Sequence, residues 1–550
     1  DFQSVFTKEP MQVGPRVPGL KEISIPSFKT GEEYLVKPDR KTKVVGVPKF
    51  SPLEALANEL TATDNRAFRE NIANRVWWLA MGRGKGGQQN PRGNGFCEDP
   101  GPDLQRASEL GMDTVRTSID WSRIEPTPGV FDDEELDRAV EILADIKARG
   151  MKPALTLFHW SVPLWVQNPN PDEGPVVDQL SASNRDVATR FDAFVRHVIP
   201  RVKDLVDTYT VINEPFSMLV KGYVQGEFPP GRLLDFGRAS QYGVNMVHMH
   251  ARAYDAIKAL DDADADADGV NSFVGITQAA FPVYPLDATN ARQQFAADNL
   301  NYIIHDWVIT ALTSGALDVD LDGRADNPAT TPPEQVYDDL RGRLEFIGVQ
   351  YYGTIRVNDD PLFVDLPPMY GLPLFDVKTY APDVPHNGMG VAVGAAGFRD
   401  MLERYAKFGL PLIVTEGGTT VNGVPNLGDG GVLVSETEGE TQAAMYLAEH
   451  LWELGRAMKR GVDVRGFWVW TLADNFEWVE GVNQRFGVYR VDYSDPLMPR
   501  TFNKMGEALR DIVAARGVDE TLWKRFVLPK YPTDRRENGG LTTSEPVYGN

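Results

Sequence analysis

Residues 152–160 read Lys152-Pro153-Ala154-Leu155-Thr156-Leu157-Phe158-His159-Trp160. A nearly continuous apolar run of this length, closing on polar or aromatic residues, suits a parallel strand covered on both faces. Similar runs lie on either side of it: Val76–Met81, Thr114–Ser118, Tyr209–Asn213, Val274–Gln278, Phe346–Tyr351, Leu412–Thr415 and Gly466–Trp470. Helical patterns separate them. Val187, Phe191, Phe194, Val195 and Val198 share one helical face, as do Leu447, Leu451, Leu454 and Met458. Helices are also expected at Asp103–Leu110, Leu136–Arg149, Gly243–Leu260, Phe295–Thr313 and Phe398–Phe408. Eight strands alternating with helices predict a closed parallel (β/α)8 TIM barrel in the α/β class. An open doubly wound sheet is the alternative, and no GxGxxG follows the first strand in the right context to support it.

The barrel is expected over residues 51–529. Residues 1–50, rich in Pro, Gly and Lys and without a sustained period, predict an extended N-terminal arm. Residues 530–550 predict an irregular tail. Of the 550 residues 56 are Lys or Arg and 78 are Asp or Glu, so the formal charge is −22. An excess of negative charge argues against nucleic acid or an anionic membrane as partner. No run of 18 apolar residues offers a membrane span. Cys97 is the single cysteine, which precludes an intramolecular disulfide. The chain opens at Asp1 without Met or an apolar leader, as expected of a chain already processed or trimmed. Nothing in it specifies an oligomeric state.

In a barrel of this kind the chemistry belongs at the C-terminal ends of the strands. The third candidate strand ends in His159-Trp160, the fourth in Asn213-Glu214-Pro215, the sixth in Gln350-Tyr351-Tyr352 and the seventh in Thr415-Glu416-Gly417. The eighth ends in Trp470, ahead of Asp474-Asn475-Phe476-Glu477-Trp478. Glu214 and Glu416 would thus face each other across the mouth. Cleavage of a glycosidic bond needs two such carboxyl groups, one protonated to assist the leaving group and one to attack or to activate water. Arg116, on the second strand, is a cation placed to stabilise an anionic Glu416, whose charge would in turn keep Glu214 protonated.

Around these residues the chain resembles glycoside hydrolase family 1. The matching segments are Thr210-Val211-Ile212-Asn213-Glu214-Pro215, Ile413-Val414-Thr415-Glu416-Gly417-Gly418, Arg116-Thr117-Ser118-Ile119-Asp120-Trp121-Ser122-Arg123-Ile124-Glu125-Pro126, Thr156-Leu157-Phe158-His159-Trp160 and the run from Trp468 to Trp478 with Gly481, Arg485-Phe486-Gly487-Val488 and Asp492-Tyr493. The likeness extends from about Val76 to about Arg510. It implies a retaining β-glycosidase of the β-glucosidase or β-galactosidase kind, acting without a catalytic cofactor on a carbohydrate or glycoside. Glu214 would be the acid/base and Glu416 the nucleophile. Asn213 would hold the sugar 2-hydroxyl and Tyr352 would hydrogen-bond the nucleophile. His159 and Trp478 would contact the 3-hydroxyl, Glu477 the 4- and 6-hydroxyls, and Trp470 would floor the ring. Trp160 and Phe486 complete the implied substrate-binding set. A carboxylate at 477 also disfavours phosphorylated sugars.

The chain departs from the family after the first strand, which runs Ala80-Met81-Gly82-Arg83-Gly84-Lys85-Gly86-Gly87-Gln88-Gln89. The family carries there a Gln that grips the 3- and 4-hydroxyls; here Lys85 falls near that position, with Gln88 and Gln89 beyond it. Gln350 stands where Asn is usual, and Gly417 where Asn usually follows the nucleophile. The family also includes galactolipid-remodelling transferases. Transfer of the sugar to a lipid or saccharide acceptor is therefore the second reading, and a non-catalytic carbohydrate-binding barrel the third. Two further segments, Asp264-Asp266-Asp268-Gly269 and Asp318-Asp320-Asp322-Gly323 with Asp326, alternate carboxylates ahead of a Gly. That is the front half of a calcium loop, without its closing Glu. A structural calcium ion would suit a secreted or periplasmic setting.

Overall fold

The computed structural model describes residues 93–168, 186–319, 335–357, 393–421 and 436–527, with short stretches between them and within residues 1–55. The candidate first strand Val76–Met81, the Gly-rich segment after it, Asp320, Asp322, Asp326 and residues 530–550 lie outside the described residues. The chain divides into two compact units, Asp1–Pro91 and Arg92–Asn550. In the first, Phe2–Gln3 pairs antiparallel with Pro10–Met11, and Tyr34–Val36 with Val47–Pro48.

The second unit is built on seven strands: β1 (Thr114–Ser118), β2 (Lys152–Phe158), β3 (Thr208–Asn213), β4 (Phe273–Ala279), β5 (Phe346–Tyr351), β6 (Leu412–Gly417) and β7 (Val464–Val469). They pair in chain order, every neighbouring pair parallel. The two edges, β1 and β7, curl back until Cα atoms lie within 8 Å. This is the (β/α)8 barrel, and the seven strands match the second to eighth strand candidates with ends shifted by one or two residues. Apolar composition explains the match: β2 from Pro153, β5 and β6 are buried along their whole length, as strands covered by helices outside and side chains inside must be.

Helices flank the sheet: α1 (Gly101–Glu109), α2 (Asp133–Ala148), α3 (Asp186–Val202), α4 (Phe236–Leu260), α5 (Ala291–Asn301), α6 (Trp307–Ser314), α7 (Ala395–Ala406), α8 (Glu436–Lys459), α9 (Lys504–Ala515) and α10 (Glu520–Phe526). On α3 the expected stripe is buried in full, with Phe191, Phe194, Val195 and Val198 all at 0% exposure. Burying side chains of that size contributes about 1.5–3 kcal/mol each. Two expectations need correction. The helix predicted over Phe295–Thr313 is two helices, α5 and α6, joined by a π turn at Tyr302–Asp306. That wider turn carries His305, whose Nε2 lies 3.0 Å from the Phe281 carbonyl and whose Nδ1 lies 3.2 Å from the Tyr405 hydroxyl. On α8, Leu447 is buried but Met458, on the last turn, is exposed while Ala457 beside it is buried.

Candidate active site

At the end of β3 the chain reads Asn213-Glu214-Pro215. A residue before proline avoids the right-handed helical region, and Glu214 takes a left-handed conformation, φ 41°. The strand therefore stops abruptly, a short helix starts at Pro215, and the Glu214 side chain stays at the mouth. Trp160 (φ 74°) and Trp478 (φ 45°) share this rare backbone region. Each such non-glycine residue costs roughly 1–3 kcal/mol and persists only where its surroundings enforce it. Trp160 packs on Trp478 and bonds the carbonyl of Asn213, the residue before Glu214.

Glu416, next to last on β6, is buried. Arg116, inside β1, donates through Nη1 to Glu416 Oε1 at 2.5 Å, through Nη2 to Asn213 Oδ1 at 2.5 Å and through Nε to Thr156 Oγ1 at 2.9 Å. Tyr352, just past β5, donates its hydroxyl to the other oxygen, Glu416 Oε2. Both carboxylate oxygens are thus held, and the plane of the carboxylate with them. Glu214 is buried too, and its pKa is pushed up to about 8. Burial is the largest cause and the Glu416 charge the second; Ser217 and Arg116 oppose them. One carboxyl is therefore a neutral acid near pH 7, beside a partner gripped by a cation and a phenol.

The other residues singled out in the sequence have the following surroundings. His159 Nδ1 lies 3.0 Å from Ser118 Oγ, and burial with the Arg116 charge lowers its pKa to about 3, so the imidazole is neutral. Trp160 donates from Nε1 to the Asn213 carbonyl at 2.8 Å and packs 4.9 Å from Trp478, centroid to centroid. His159 lies 6.0 Å from Trp478. Glu477 accepts from Asn475 Nδ2 at 3.0 Å, and burial pushes its pKa to about 7. Trp470, at the end of β7, also hydrogen-bonds Glu477. Phe486 is buried edge-on to Tyr352 at 5.7 Å.

Four participants escaped the sequence reading. Thr156, Thr210 and Thr277 are fully buried hydroxyls inside the barrel: Thr156 and Thr210 lie 2.5 Å apart, and Thr277 donates to Asn213 Oδ1 at 3.1 Å. A polar residue interrupting an apolar strand was the available signal. Phe228, packed 5.5 Å from Trp160 and 6.0 Å from Trp478, had none, because a loop brings it there.

The first acidic loop sits elsewhere, at the N-terminal end of the strands. Carboxylate oxygens of Asp264 and Asp266 come within 4.8 Å of one from Asp207, the residue before β3. Asp268 is outside that group, its carboxylate accepting from the Val270 N–H at 2.9 Å. Asp266 already pairs with Lys152 at 2.5 Å, and Asp264 caps the Asp268 and Gly269 N–H groups. Of the second loop Asp318 is buried, accepting from the Tyr302 hydroxyl at 3.3 Å.

A parallel barrel with two buried carboxyl groups at its C-terminal mouth, one protonated and one held by a cation, has the pair of groups that glycosidic bond cleavage requires. The sequence model of glycosyl hydrolase family 1 matches residues 98–518, and the chain belongs to that family. The chain is 28% identical to a β-galactosidase of Sulfolobus acidocaldarius over 453 residues, 76% of this chain and 83% of that protein. It is 28% identical to β-glucosidase 16 of Arabidopsis thaliana over 419 residues, covering 72% and 76%. The β-glycosidase from Pyrococcus horikoshii shares the fold, with a TM-score of 0.63 at 22% identity over 85% of this chain and 94% of that one. So does the family 1 β-glucosidase from Thermotoga maritima, with a TM-score of 0.61 at 22% identity over 79% and 91%.

Proposed function

We propose that this family 1 enzyme is a retaining β-glycosidase that hydrolyses terminal, non-phosphorylated β-linked sugars of the glucoside or galactoside kind, with Glu416 as nucleophile and Glu214 as acid/base. The observation that carries the proposal is the asymmetry of the two glutamates. Glu416 has each oxygen occupied, by Arg116 and by Tyr352, and Glu214 is held protonated by burial and by the Glu416 charge. Glu416 attacks the anomeric carbon as Glu214 hands its proton to the departing oxygen. Once the glycosyl–enzyme bond has formed, the Glu416 charge is gone and Glu214 loses the repulsion that favoured its proton. It then accepts a proton from water, which opens the ester with net retention. Asn213 supports this role from β3, as a donor to the sugar 2-hydroxyl. Glu477 would be a third carboxyl, accepting from sugar hydroxyls and disfavouring a phosphate.

Proton NMR during turnover of a panel of β-glycosides tests the mechanism, with Glu416→Gln run alongside. The β-anomer is expected first and its formation is expected to vanish in the variant. Release of the α-anomer first would overturn the retaining assignment. Products carrying the sugar on an acceptor other than water would assign the enzyme to glycosyl transfer by the same two residues.

A further inference from the structure

The side chain of Asn213 is oriented by its neighbours in a forced order. Its Oδ1 accepts from Arg116 Nη2 at 2.5 Å, from Gln350 Nε2 at 2.7 Å and from Thr277 Oγ1 at 3.1 Å. A guanidinium has donors and no acceptor, so the Asn213 atom facing Arg116 must be the oxygen. An oxygen in that place requires the NH2 of Gln350 opposite it, which settles the direction of the second amide as well. All three bonds fall on Oδ1, and Nδ2 is the end of Asn213 left to a ligand.

Gln350 itself lies on β5 at 0% exposure, and its Oε1 is buried without a hydrogen-bond partner among the described residues. A buried acceptor left unpaired costs about 1–3 kcal/mol. An apolar side chain of similar size would avoid that penalty, so the contribution of Gln350 lies in its donor end. Asn213 is reached from three strands: Arg116 on β1, Thr277 on β4 and Gln350 on β5. Of the three, Arg116 is shared with Glu416 and the Thr277 hydroxyl is also 3.3 Å from the Ile212 carbonyl. The Gln350 N–H is the donor with Asn213 as its one partner among the described residues.

We infer that Gln350 is a positioning residue for the glycosidase reaction: its N–H to Asn213 Oδ1 holds the Asn213 amide with Nδ2 turned to the sugar 2-hydroxyl. The inference rests on the proposed function and on Asn213 meeting that hydroxyl. A hydroxyl beside the reacting carbon is where a bond that tightens in the transition state raises kcat. Losing the alignment should therefore weaken turnover of substrates that carry the hydroxyl, and only those.

The experiment compares kcat/KM for an aryl β-glycoside and its 2-deoxy analogue in the wild type, Gln350→Met and Gln350→Glu. The wild type is expected to prefer the 2-hydroxy substrate. Gln350→Met should shrink that preference about tenfold, the loss of one hydrogen bond of ordinary strength, with 2-deoxy turnover little changed. Gln350→Glu keeps the size and polarity of the site. Burial raises the pKa of a carboxyl there as it does those of Glu214 and Glu477, so the neutral acid should donate to Asn213 and keep the preference at low pH, and the preference should fall to that of the Met variant as the pH rises and the carboxylate forms. The ratio of the two substrates cancels the pH dependence of the catalytic steps common to both. Equal losses on both substrates, or in a folded variant a preference at the wild-type level across the whole pH range, would overturn the inference. If Gln350→Met does not fold, Gln350→Glu decides alone, and a preference independent of pH at the wild-type level refutes it. A wild type that does not discriminate would refute the Asn213 reading beneath it; variants that fail against a discriminating wild type refute Gln350 alone.

Discussion

Replacing Glu416 by Gln removes one negative charge while leaving the size of the side chain, and the consequence should appear at Glu214. The Glu214 pKa of about 8 has burial as its first cause and the Glu416 charge as its second. A retaining pair is separated by about 5–5.5 Å. Two unit charges at that distance repel by roughly 3 kcal/mol at an effective dielectric constant of about 20. Each 1.4 kcal/mol or so is a tenfold change in proton affinity, so the charge accounts for roughly a hundredfold. The variant also frees Arg116 from its partner, and an unpaired cation lowers the proton affinity of Glu214 further in the same direction. The Glu214 titration is therefore expected to fall from about 8 toward about 6. It should stay above an ordinary glutamate, because burial remains. The assay is 13C NMR of carboxyl-labelled glutamate, with the Glu214 signal assigned by difference against the Glu214→Gln/Glu416→Gln double variant. A Glu214 titration unmoved by Glu416→Gln would refute the electrostatic coupling, and with it the division of labour between acid and nucleophile.

Three other outcomes follow from the same geometry. Glu214→Gln should lower kcat by roughly 10²–10⁴-fold, most for poor leaving groups and least for aryl glycosides that depart without a proton; equal losses across leaving groups would remove Glu214 from the acid role. Arg116→Met leaves Glu416 without its ion-pair partner in a site where both side chains are 7% exposed, and breaking such a pair costs about 3–5 kcal/mol, to be read as a lower melting temperature and denaturant midpoint. Asp207→Asn tests the acidic loop: burial raises the folded pKa of Asp207 to about 6, above the unfolded value of about 3.9. The folded state therefore binds that proton more tightly, and Asp207 detracts from stability increasingly as pH rises from about 4 to about 6. The gain in melting temperature for Asp207→Asn should be larger at pH 7 than at pH 4; a gain independent of pH would show that Asp207 does not titrate abnormally.

Much of the barrel was legible in advance because its strands are covered on both faces, which makes them continuous apolar runs with little ambiguity of period. The same property explains the polar residues at their ends: Glu214 and Glu416 stand out because nothing in an apolar strand requires a carboxyl group. The split of Phe295–Thr313 into α5, a π turn and α6 was illegible, since its apolar spacing continues through the break and the contacts of His305 with Phe281 and Tyr405 come from distant segments.

Local chemistry alone determined which strands this chain can form, that Pro215 must end one of them just after Glu214, and that Arg116 lies within another. Those properties depend on residues a few positions apart. What only the tertiary structure decided is the set of partners: that Arg116 spans 300 residues to reach Glu416, that Gln350, Thr277 and Arg116 converge on one amide oxygen, and that Phe228 backs Trp160 and Trp478. The curvature of the sheet brings strand ends together regardless of their separation in the chain, and hydrogen bonds and burial pKa shifts act over a few ångströms of space. The proton on Glu214 is accordingly a property of the closed barrel, not of the segment that carries it.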